Sequence, residues 1–192
     1  MTSKVTPVIL LILAMGLSHS SAFGDTDKLS ESRQSHLRAA FIFNFISFIE
    51  WPSAAADTAK IEVGVWNDEG SLAALIEELS GKKVKGKEIN FKAIGAIDSG
   101  SAQTNPPVQI LQNLRVLTID SDNRVALKKL IESVSNLPIL TVSRYSEHCS
   151  MGIVMCFVID DGRLRFTIDK KAADKAGLKI GSQLLKLARP AP

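Results

Sequence analysis

Residues 36–52 read H-L-R-A-A-F-I-F-N-F-I-S-F-I-E-W-P, and two periodicities compete for them. Strict alternation would set Phe41, Phe43 and Phe45 on one strand face, but Ile42 and Ile46 make the opposite face apolar too. The spacing Leu37, Phe41, Phe45, Phe48 suits one stripe of a helix. Arg38, Ala39 and Ala40 favour the helix, and Pro52 stops it by keeping Trp51 out of helical dihedrals. A helix running to Glu50 is therefore expected. From Ala39 to Ile49 only Asn44 and Ser47 are polar, so this helix should be covered on nearly all sides. Eleven residues at about 1.5 Å each span roughly 16 Å, too short to cross a bilayer. Four of the chain's eight phenylalanines lie here, and a central core helix accounts for them. A second reading places Phe43 or Trp51 on a partner or dimer surface.

The residues before this helix read differently. Lys4, the apolar run Val8 to Leu17 and the small residues Ser20-Ser21-Ala22 follow the order of a secretory signal peptide. Residues 1–22 are expected to be that signal, and 23–35, polar from Asp25 onward, a flexible N-terminal segment. Ser30 or Ser32 can cap the helix that follows. The mature chain of about 170 residues suffices for one domain with a substantial core. Without Lys4 it has 22 Lys and Arg against 20 Asp and Glu, a net charge of +2. The one dense basic cluster, Lys82, Lys83, Lys85 and Lys87, falls in a glycine-containing turn. No basic face with aromatic platforms is visible, so no nucleic-acid partner is expected. No second hydrophobic segment argues for membrane insertion, and no cysteine follows the signal to carry a lipid. The expected location is the periplasm.

Beyond Pro52 the pattern alternates between periods. Lys60 to Trp66, Glu88 to Ile94, Arg115 to Ile119 and Pro138 to Val142 read as strands. Leu72 to Leu79, with Leu75, Ile76 and Leu79 on its stripe, reads as a helix, as do Val108 to Leu114 and Asn123 to Val134. Gly95 to Pro107 is the longest loop. Ser143 to Cys149 reads as a polar segment. Ile153 to Ile159 is apolar on both faces, and Asp160-Asp161-Gly162 joins it to Arg163–Ile168 as a β-hairpin. Asp169 caps a helix that Gly177 ends, and a short helix follows Ser182. The expected fold is a single three-layer α/β domain: a mixed β-sheet flanked by helices, with a C-terminal β-hairpin and helix.

No catalytic constellation emerges. His36 and His148, the histidines of the mature chain, belong to no H-x-x-x-H or H-E-x-x-H pair, and no metal site is expected. Nucleophile-elbow, phosphate-loop and dinucleotide patterns are absent. Asp120 and Asp122 suit a helix cap, and Asp160-Asp161-Gly162 a hairpin turn. No cofactor is expected, and the chain is not read as an enzyme. His148 beside Cys149 reads as a loop histidine next to a disulfide cysteine. Cys149 and Cys156 are the only cysteines, with six residues between them. A disulfide between them requires Ser150-Met151-Gly152 to turn sharply, because the Cα atoms must come within about 4.4–6.8 Å. A structural bond is the first reading, and a reducible bond that switches the loop is the second.

The aromatic-rich F-I-E-W-P, the T-V-S strand, C-S-M-G-I-V-M-C and the closing F-T-I-D-K-K-A-A-D-K-A-G-L-K-I-G-S-Q-L-L-K-L-A together resemble the YfiR family. The similarity runs from about His36 to Ala188, so 36–190 is expected to be a YfiR-like α/β domain. It implies a periplasmic regulator that represses an inner-membrane diguanylate cyclase of the YfiN type by contact, controlling cyclic-di-GMP output. It also implies relief by an outer-membrane lipoprotein, and places the family's redox-sensitive pair at Cys149 and Cys156. Some members carry an earlier cysteine pair that this chain lacks. Met151-Gly152 stands where the family often has two glycines. A homodimer is expected. The alternative is a small-ligand sensing module of another membrane signalling system, with a pocket formed by the Gly95–Pro107 loop at the strand ends.

Overall fold

A computed structural model describes residues 23–56, 58–66, 69–94, 106–121 and 123–190. The expected signal peptide and most of the Gly95–Pro107 loop lie outside them. The aromatic stretch is helical, as its spacing requires, but both ends differ from expectation. Helix α1 spans Phe23–Phe48. It takes in the polar segment that reads as flexible, and Glu31 there is held by Arg38 and Arg144. The helix stops short of Trp51 because Ile49–Glu50 leaves it as a two-residue strand, β1, which pairs antiparallel with Lys179–Ile180.

The stripe that α1 buries is also rotated from the expected one. Ala39, Ile42, Phe45, Ile46 and Ile49 are buried, whereas Leu37 is 46% exposed and Phe41, Phe43 and Phe48 are half-covered. A sequence apolar on nearly every side has no weak face to orient it, so the packing partner chooses. Phe41 meets Phe157 and Phe166 edge-on, and Phe45 stacks on Phe157 and meets Phe166 edge-on with centroids 4.8 Å apart. Such ring pairs add roughly 0.5–1.5 kcal/mol beyond area burial. Asn44 and Ser47 are exposed, so α1 has an open side rather than the full cover expected.

After the short helix α2 (Ser53–Ala56) come β2 (Lys60–Trp66), α3 (Glu69–Leu79), β3 (Lys83–Val84) and β4 (Lys87–Ile94). Next are α4 (Val108–Gln112), β5 (Val116–Ile119), α5 (Arg124–Val134) and β6 (Leu140–Ser143). A 3-10 helix, Ser146–Met151, leads into the hairpin β7 (Met155–Asp160) and β8 (Arg163–Ile168). The chain closes with α6 (Lys170–Lys175), β9 (Lys179–Ile180) and α7 (Ser182–Leu187). The basic turn at Gly81–Gly86 is thus a tiny hairpin, its two strands pairing antiparallel.

The main sheet has the order β3-β4-β2-β5-β6-β7-β8. Its five inner strands are parallel and its two edges antiparallel, which makes it mixed, as expected. Each inner strand sends alternate residues into separate cores. Ile61, Val63 and Val65 of β2 join Ile42, Ile46, Leu75 and Leu79 on the side of α1 and α3. Trp66, from the other face of β2, joins Leu111, Leu127 and Leu130 of α4 and α5. Helices lie on both faces, giving the three layers. Ile76 is largely exposed, although its spacing puts it beside Leu75.

Local signals hold at the turns. Asp169 accepts a bond from Ala172 N and Asn123 from Ala126 N, so Asn123 itself caps α5. Asp161 and Gly162 both have positive φ, as a two-residue hairpin turn demands. At Gly64 a Cβ would lie 2.0 Å from Ile94 Cδ1 and 2.7 Å from Leu114 Cδ1, so glycine lets the second core close on β2.

Candidate functional site

The parallel strands β6 and β7 lie side by side, with Ser143 opposite Cys156. Their crossover is the 3-10 helix followed by Gly152, whose φ of 97° is the left-handed conformation the turn needs. This brings Cys149 back over the strand, and a disulfide joins it to Cys156 with Cα atoms 5.8 Å apart. Both cysteines are buried, at 5% and 0% exposure, among Ile131, Val134 and Ile153. The Thr167 hydroxyl lies 3.3 Å from Cys149 Sγ.

The segment Ser143–Cys149 is less polar in its setting than in its composition. His148 is not a loop histidine but is buried, its ring 5.0 Å from that of Tyr145. Its Nδ1 lies 2.7 Å from Ser143 Oγ, which accepts from Tyr145 N. A serine oxygen has two lone pairs and one proton, so it pairs with Nδ1 in either direction, and the lowered His148 pKa favours the neutral ring. Nothing in the sequence marks this pair, since Ser143 reads as the end of a strand and His148 as part of a loop. Both groups are inaccessible, so the dyad is a packing device and offers no nucleophile to a substrate.

Burial pushes the His148 pKa below its usual value; Glu147 opposes this and Arg124 adds to it. In the unfolded chain the ring titrates near pH 6.5. Between the folded and unfolded values the unfolded state binds more protons, so stability rises with pH there. The contribution is complete above about pH 6.5 and declines as pH falls through that value toward the lowered one. Thermal unfolding at pH 5 and pH 7.5 should show the wild type losing stability on acidification. A His148→Gln variant should show a flatter dependence.

The second candidate is the edge below α1. Phe43 packs on the first core and carries Lys82 over its ring, 5.6 Å from the centroid. Trp51 also rests on this core, and its Nε1 is buried without a hydrogen-bond partner among the described residues. Beside it opens a cavity of about 440 Å³, with Ile49, Ile61 and Trp51 as apolar wall. Lys85, Lys87 and Arg115 oppose Glu50 around it. Lys85 Nζ donates to Ile49 O at 2.7 Å, and Arg115 Nε to Ala55 O at 2.6 Å. Burial lowers the Arg115 pKa. Phe43 and Trp51 are thus half-covered: each packs on the core and leaves part of its ring exposed.

Among the described residues no group of three or more His, Cys, Asp or Glu is gathered to hold a metal ion. Among them too, no helix is long and apolar enough to cross a membrane. Fold and site together define a three-layer α/β domain whose assets are a buried disulfide and a partly covered aromatic edge. The family model described as YfiR/HmsC-like matches residues 35–189, and the chain belongs to that family. The family is one of regulatory rather than catalytic proteins. Among solved structures, the chain is similar to a conserved domain protein from Vibrio cholerae O1 biovar El Tor. The two share 15% identity at a TM-score of 0.52, over 81% of this chain and 59% of that one, a likeness of fold alone.

Proposed function

We propose that the mature protein is a periplasmic regulator that binds an inner-membrane signalling protein and holds it inactive. The favoured target is a diguanylate cyclase of the YfiN type, so that the protein lowers cyclic-di-GMP output. The observation that supports this reading is membership of the YfiR/HmsC-like family across residues 35–189. The half-covered Phe43 and Trp51 supply the contact. Aromatic side chains that already rest on a rigid core give large contact area at small entropic cost, and they dominate measured interfaces. In this reading the protein works as a homodimer, and an outer-membrane lipoprotein competes for it. The disulfide supports the fold that presents the aromatic edge.

Co-expression with a membrane diguanylate cyclase that has a periplasmic domain, read by cellular cyclic-di-GMP, tests the proposal. The wild-type protein should lower the signal. Phe43→Ser should weaken binding by at least about thirtyfold, the worth of a roughly 2 kcal/mol hot spot, while leaving the fold intact by circular dichroism. Unchanged cyclic-di-GMP with wild-type protein present in the periplasm would sink the repressor reading. Unchanged repression by a folded Phe43→Ser would move the interface elsewhere.

A further inference from the structure

At the C-terminal ends of β5 and β6, beneath α1, four charged side chains meet. Arg38 Nη2 donates to Glu31 Oε1 at 3.1 Å and to Ser35 Oγ at 2.9 Å. Arg144 Nη1 donates to the same Glu31 oxygen at 2.9 Å and to Asp120 Oδ2 at 2.9 Å. Beside them is a cavity of about 20 Å³ bounded on its apolar side by Ile42, Leu75 and Phe157. That is room for about one water.

The members of this network are unequal. The Arg38 side chain is 8% exposed and that of Glu31 is 49% exposed. Arg38 Nε is buried and has no partner among the described residues. In a guanidinium, Nε–H and one Nη2–H project from the same edge, so that edge offers a carboxylate two parallel bonds. Glu31 is tethered two turns away on the same helix and takes only one of them. A carboxylate free to orient itself can take both.

Charge narrows the choice of ligand. With Glu31 withdrawn, two guanidiniums face Asp120, leaving one positive charge in excess. Asp120 shares Arg144 Nη1 with the incoming group and opposes a second negative charge. The balance suits a monoanion over sulfate or phosphate. The location agrees. β5 and β6 bring Thr118, Asp120, Ser143 and Arg144 to the cavity at their carboxyl ends, next to the β2–β5 pair where the strand order reverses. Ligands of open α/β sheets are held outside the carboxyl ends of the strands, the end at which this cavity opens.

We propose that this is a binding site for a small monocarboxylate, with Glu31 as its built-in occupant. The ligand displaces Glu31, takes Nε and Nη2 of Arg38 together, and shares Arg144 with Asp120. Displacement frees the α1 segment that Glu31 pins over the sheet.

The test uses the whole mature protein and acetate as probe, with chloride and sulfate at matched ionic strength. Glu31→Ala removes the internal competitor, so acetate should bind it about tenfold more tightly than wild type, the equivalent of one charge-assisted bond no longer contested. Acetate, but not chloride or sulfate, should raise the Tm of Glu31→Ala. It should also shift the Arg38 Nε–Hε cross-peak in a ¹⁵N–¹H spectrum. Arg38→Lys keeps the charge and loses the fork, and should erase the preference for acetate. If that variant does not fold, the Arg38 cross-peak in Glu31→Ala decides. A stationary cross-peak, or equal stabilisation of Glu31→Ala by acetate and chloride, would overturn the proposal.

Discussion

Phe45→Ala is expected to destabilise the protein by about 3–5 kcal/mol, lowering Tm on the order of 10 °C. Phe45 is 1% exposed and sits in ring contact with Phe41, Phe157 and Phe166, which belong to three different elements. Its removal leaves a cavity between α1 and the β7–β8 hairpin, and the hairpin cannot collapse into it without breaking strand pairing. Leu37→Ala is the matched comparison. Sequence spacing puts Leu37 on the same stripe, but its exposure predicts a change within about 0.5 kcal/mol. Chemical denaturation of both variants measures the difference. Equal losses would mean that α1 buries the stripe its spacing suggests.

Replacing both cysteines, Cys149→Ala with Cys156→Ala, should cost about 2–3 kcal/mol by the chain-entropy argument for so short a loop. The same loss should follow treatment of the native protein with reductant, but slowly. Both sulfurs are buried, so a thiolate must await local opening before it can attack. Under the proposed function, the lowering of cyclic-di-GMP by the double variant should shrink in proportion to the folded protein that remains. A double variant as stable as wild type yet unable to repress would instead assign the bond a switching role.

Much of the architecture is legible in the residues because the signals are local. Lys60 to Trp66 alternates cleanly, Asp160-Asp161-Gly162 forces a hairpin, and Asp169 and Gly177 bracket α6. The orientation of α1 is not legible, since Ile42, Phe43, Phe45 and Ile46 offer apolar groups in several directions and only the sheet decides among them. The end of α1 is not legible either, because the partner of Ile49 is Ile180. The cysteine spacing and Gly152 foreshadow the disulfide, whereas the half-covered Phe43 departs from the full cover that so apolar a helix suggests. The Ser143–His148 pair and the Glu31–Arg38–Arg144 network carry no local signal. Polar residues write no periodicity, and their partners are chosen only when distant segments meet.

The pairing of β1 with β9 bears on biosynthesis. Gly181 N donates to Phe48 O at 2.9 Å, and a side chain at Gly181 would crowd that carbonyl. The Phe48 carbonyl and the Ile49–Glu50 strand therefore have no mate until the closing tract has been synthesised. Products cut short before Lys179 would keep that end uncovered and be marked for proteolytic clearance, so the cell would receive only finished copies.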